Sequence, residues 1–109
     1  MSTSVIDMKR GVYRRIYSGA THGGRINQVG DGAERLFWRL HMICDDFGNC
    51  RADPVITKAS AMPLVARATP KRIQAWLDEL VAVGLILTYD AGGDAYVHID
   101  GFEDSQPTG

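Results

Sequence analysis

Apolar and polar positions run along this chain in two rhythms, and the switches between them mark its elements. Residues 12–17 (VYRRIY) alternate and are rich in β-branched and aromatic types, which predicts a short strand. That strand places Tyr13, Arg15 and Tyr17 on one side and Val12, Arg14 and Ile16 on the other. The five glycines of residues 18–32 predict a loop, with room for a turn or two of helix around residues 25–29. Helical spacing begins after Asp31, a residue suited to an N-cap, and the run AERLFWRLHMICDD predicts a helix that stops at Gly48. Ala33, Leu36, Phe37, Leu40, Ile43, Cys44 and Phe47 share its broad apolar face. Trp38 and Met42 fall nearly opposite, so this helix is expected to be covered on two sides. The second cover is the 12–17 strand or a second subunit. The strand is favoured, because burial within one chain carries no association cost.

Residues 49–52 suit a very short strand. Asp53 followed by Pro54 puts a cap and a first-turn proline in the right order for a second helix, PVITKASAM. Thr69 and Pro70 repeat the device and open a third helix, PKRIQAWLDELVAV, which Gly84 closes. Its core face is Ile73, Trp76, Leu77, Leu80 and Val81, with Trp76 read as core and not as a stacking platform. Two β-rich runs, residues 85–89 and 95–99, flank a Gly92-Gly93 turn and predict a hairpin. Helix, short strand, helix, helix, hairpin is the order of an α+β winged helix-turn-helix, three main helices with a small antiparallel sheet and a C-terminal wing. The expected organisation is a flexible leader over residues 1–11, a winged-helix domain over 12–101 and a polar tail over 102–109.

Composition changes this picture little. At 109 residues, 45% hydrophobic and 23% charged, the chain suits one globular domain with one modest core. No apolar stretch is long enough to span a bilayer, and residues 1–10 lack the apolar core of a secretory signal, so a cytoplasmic protein away from membranes is expected. Charge matters more. The net value of -1 conceals a polarised chain. Residues 1–72 hold all twelve lysines and arginines against six acids, a balance of +6, whereas residues 73–109 hold seven acids and no lysine or arginine. A chain of this kind can present a basic face despite a pI near 6.3.

Most site chemistry is absent. The glycine-rich stretches lack the Gly-Lys-Ser/Thr ending of a phosphate loop, and DDFGN lacks the alternating carboxylates of a calcium loop. His41, Cys44 and Cys50 supply three metal ligands at best, so the cysteines read as small apolar fillers, with no metal and no cofactor. The three histidines stand beside no serine or cysteine in a catalytic order, and an enzyme is not expected.

Three stretches also resemble a known family: AERLFWRLHMICDDFGNCRADP, PKRIQAWLDELVAVGLILTY and AYVHIDGFEDSQP. They are similar to the N-terminal winged-helix domain of phage replisome organisers, which are related to the DnaD-type primosome proteins. The matching elements are the acidic turn of Asp45, Asp46 and Gly48, and the Asp53-Pro54 helix start. The helix end of Leu77, Glu79, Leu80, Gly84, Leu85 and Ile86 matches too, as do the hairpin tyrosine Tyr96 and the exit of Phe102 and Gln106. The resemblance implies a DNA-associated role in replication initiation or transcriptional regulation in a phage or prophage setting.

Nucleic-acid binding is the chemistry these residues support. A recognition helix sets its first side chains against base edges while nearby cations neutralise phosphates. Lys71 and Arg72 suit phosphate or guanine, Gln74 suits adenine, and Thr69 suits backbone, with Lys58 and Arg67 adding phosphate contacts. Arg14 and Arg15 of the 12–17 stretch, with Lys9 and Arg10 of the leader, suit an arm over the duplex. Against this stand Asp78 on the groove face and a wing bracketed by Asp90, Asp94 and Asp100, which is expected to stay off the backbone. The expected partner is double-stranded DNA, with a homodimer or a host or phage protein also weighed. The alternative function is a phage-encoded interaction module that modulates a host protein complex through its acidic wing or a Trp38–Met42 surface.

Overall fold

The computed structural model describes residues 24–102, and these form an α+β unit of three helices and one three-stranded antiparallel sheet. The expected leader, the 12–17 strand with Arg14 and Arg15, and residues 103–109 lie outside the described residues. A short 3-10 turn, Ile26–Gln28, precedes helix α1 (Asp31–Ile43). Strand β1 (Asn49–Arg51), helix α2 (Pro54–Ala61), helix α3 (Pro70–Ala82) and strands β2 (Ile86–Ala91) and β3 (Asp94–Ile99) follow. The strand order is β1-β3-β2, so the hairpin's second strand lies in the middle. Element order and sheet order are both compatible with a winged helix.

Local chemistry sets most boundaries. The Asp53 carboxylate accepts a 2.9 Å bond from the Val55 amide and Pro54 occupies the first turn of α2. At α3 the Thr69 hydroxyl accepts from the Arg72 amide at 3.2 Å, again with proline behind it. Gly84 closes α3 at φ 78°, a left-handed conformation that a side chain resists. Gly92 and Gly93 sit at φ 61° and 89°, so the hairpin turns in two residues with the twist its strands require.

Two expectations for α1 need correction. Gly30 and not Asp31 is the N-cap, and its amide donates to the Glu79 carboxylate of α3 at 2.9 Å. The helix also stops at Ile43 instead of running on to the glycine. The Asp45 side chain accepts from the amides of Phe47 and Asn49, both at 2.9 Å, and this local turn outcompetes further helical bonds. Phe47 consequently loses the helical phase that put it in the core and is 66% exposed. Val81, assigned to the core face of α3, is exposed as well.

The core lies between the helices and one face of the sheet. Leu36, Leu40, Met62, Ile73, Leu80, Ile86, Val97, Ile99 and Phe102 are fully or almost fully buried there. Gly32 lets α1 and α3 approach closely: a methyl group on it would fall within the indole of Trp76, which is half-buried against the core as expected. Cys44 is buried, Cys50 half-buried, and neither is in a disulfide. Burial pushes the Cys50 thiol up to about 12, so it remains protonated over the ordinary pH range.

Candidate nucleic-acid interface

The expected DNA-contacting residues within the described region all come from α2, its connection to α3, and the start of α3. Lys58 is committed elsewhere. Its ammonium donates to the carbonyls of Met62 at 2.9 Å and Val65 at 2.6 Å, tying off the end of α2 and the following turn. That connection also carries turn bonds from the Val65 amide to Met62 and from the Ala68 amide to Val65. It is thereby a built corner, and it fixes where α3 begins.

The remaining cations stand differently. Arg67, Lys71 and Arg72 are exposed around the first turn of α3, and none of them has a carboxylate within ion-pairing distance among the described residues. Arg72 donates to the Arg67 carbonyl at 3.2 Å, which holds the two guanidinium-bearing residues close together. Thr69 is a helix cap first, its hydroxyl already accepting from an amide. Lys71, Gln74, Ala75 and Asp78 form one exposed strip along the helix, with Gln74 donating to Asp78 at 2.9 Å. The structure thus places Arg67, Thr69, Lys71, Arg72 and Gln74 together at one end of α3 and ties Lys58 back into the fold.

The β2–β3 hairpin, the expected wing, is less acidic at its surface than its sequence alone implies. Arg25 bridges Asp100 at 3.0 Å and also donates to the Gly84 carbonyl at 2.7 Å. Arg51 bridges Asp94 at 3.3 Å. Of the three wing acids, Asp90 alone makes no ion pair among the described residues. Both bridges are solvent-exposed and contribute little stability, but they offset the charge of two of the three hairpin acids. Neither arginine was expected to act here, because pairing Arg51 with Asp94 needs the β1–β3 register, which residue spacing does not reveal.

The outer face of the sheet carries a polar and aromatic network. Tyr89 and Tyr96 stack at 5.7 Å, Arg51 lies 5.7 Å over the Tyr96 ring, and the Tyr89 hydroxyl donates to Asn49 at 2.9 Å. On α1, Trp38 is half-buried, edge-on to Phe37 with ring centroids 5.0 Å apart, and Met42 is 48% exposed. Among the described residues no cluster of three or more histidine, cysteine, aspartate or glutamate side chains is placed to hold a metal, and no helix is long and apolar enough to cross a membrane. No protein-family model, no curated protein and no solved structure matches this chain.

Proposed function

We propose that this chain is a winged-helix protein that binds duplex DNA by setting the first half of α3 in the major groove. The observation that carries the reading is the group of exposed cations, Arg67, Lys71 and Arg72, none of them ion-paired among the described residues, at one end of a capped helix. Phosphate oxygens match such a group, and the positive end of the α3 dipole adds to the attraction. Gln74 and Ala75 follow on the same exposed strip, where base edges would lie. The wing contributes position more than grip, since it carries no lysine or arginine and, among the described residues, its exposed Asp90 has no ion-pair partner. The cellular setting is the one the family resemblance implies, replication initiation or regulation in a phage or prophage.

Binding of a labelled duplex by the wild type and by a Lys71→Glu/Arg72→Glu variant tests this. Acidic residues in a first helical turn are well tolerated, so the variant keeps its fold. DNA binding at low salt by the wild type, lost in the variant, is the expected result. Equal binding by both would overturn the reading. Partner capture that depends on Trp38 and Met42, without DNA binding, would support the interaction-module alternative.

A further inference from the structure

We infer that Asp78 is a positioning residue for Gln74, and that the pair makes the exposed strip of α3 selective for an adenine in the major groove; this rests on the DNA-binding reading above. The two side chains lie one helical turn apart, both exposed, with Gln74 Nε2 donating to Asp78 Oδ1 at 2.9 Å. A carboxylate only accepts, so it draws the amide nitrogen toward itself and turns Oε1 away. Among the described residues Gln74 makes no other side-chain hydrogen bond.

An amide has two protons. With one given to Asp78, one proton and the carbonyl oxygen remain for a ligand. Adenine presents one acceptor and one donor side by side in the major groove, N7 and the N6 amino group, and asks for that complement. Guanine presents two acceptors and asks for two donors, which the oriented amide does not supply. A glutamine held in place before binding also loses less freedom on contact than one that is loose. Ala75 beside it is exposed and small enough to let the helix approach closely, and its methyl group suits the thymine methyl.

The carboxylate has a cost, and the cost identifies its role. Asp78 repels phosphates, so a helix that only gripped backbone would bind better without it. A pair that served helix stability alone would leave base preference unaffected when broken.

The test uses the full chain. Duplexes are selected from a randomised pool, and affinities are then compared at fixed salt for the selected duplex and for one with its preferred A·T pair replaced by G·C. The wild type is expected to discriminate by about tenfold or more, the worth of one good two-bond contact. Asp78→Ala should bind both duplexes at least as tightly as the wild type and let discrimination fall below about twofold. Asp78→Asn keeps an acceptor oxygen and drops the charge, so discrimination should survive while affinity for both duplexes rises. Gln74→Ala should lose discrimination without gaining affinity. Wild-type discrimination persisting in Asp78→Ala overturns the inference, as does a wild type that binds duplexes with no adenine preference, although DNA binding then stands. A wild type that binds no duplex overturns both.

Discussion

Replacing Gly32 by alanine tests the α1–α3 contact on which the placement of the whole α3 surface depends. In an unobstructed helix this change gains up to about 1 kcal/mol, because alanine restricts the unfolded chain and favours the helical state. Here the methyl group meets three atoms of a rigid indole. Either Trp76 leaves its site or the two helices move apart. A tryptophan side chain covers about 150–250 Å² when buried. Trp76 is half-buried, so displacing it exposes on the order of 100 Å², at a cost of about 2.5 kcal/mol. After the helical gain the expected net loss is about 1.5–2.5 kcal/mol, within the range for overpacked sites. For a domain of this size that lowers Tm by about 8–15 °C. Urea and thermal unfolding of the wild type, Gly32→Ala, Trp76→Ala and the double variant would measure it. In the Trp76→Ala background the glycine change should become neutral or stabilising, since the obstructing ring is gone. A Gly32→Ala protein as stable as the wild type, with Trp76 present, would refute the close approach of α1 and α3.

Other substitutions address the boundaries and the core edge. Thr69→Ala removes the hydroxyl that caps α3 and should cost about 1 kcal/mol in urea unfolding, with Thr69→Ser largely restoring it. Gly48→Ala should cost more than about 1 kcal/mol by the same assay, since φ is 87° there and an added Cβ would lie 2.7 Å from Phe102. The folded-state pKa of Cys50, about 12 against an ordinary 9.0, binds a proton that the unfolded chain has already lost between those values. That contribution is fully present below pH 9 and is lost as pH rises toward 12, by up to about 1.4 kcal/mol per unit. Cys50→Ala should flatten this part of the stability profile.

What could be read from the chain follows from how local each determinant is. The Asp53-Pro54 and Thr69-Pro70 starts, the Gly84 stop and the Gly92-Gly93 turn each act within a few residues, and each boundary fell where its chemistry put it. The apolar stripe of α1 was legible through Leu40 for the same reason. Its end was not. Asp45 is a plausible helix residue by periodicity, and only its bonds to the Phe47 and Asn49 amides show the turn winning. Phe47 and Val81 were assigned inward by phase alone, whereas packing leaves both exposed. At the candidate site the clustering of Arg67, Lys71 and Arg72 was visible as adjacency. The capture of Lys58 by two carbonyls and the cancelling of wing acids by Arg25 and Arg51 depend on corners and strand register that spacing does not encode.

The salt dependence of duplex binding reports how many phosphates the α3 cations meet. Three exposed cations at α3, each meeting a phosphate, predict a log–log slope of about −2.7, and Arg14 and Arg15 would steepen it toward about −4.5 if they also engage. Affinity should then fall about 40-fold or more between 50 and 200 mM salt, and Lys71→Glu/Arg72→Glu should remove most of that dependence. Binding that is absent at low salt, or whose slope is near zero, would contradict the assignment of α3 as a DNA-contacting helix.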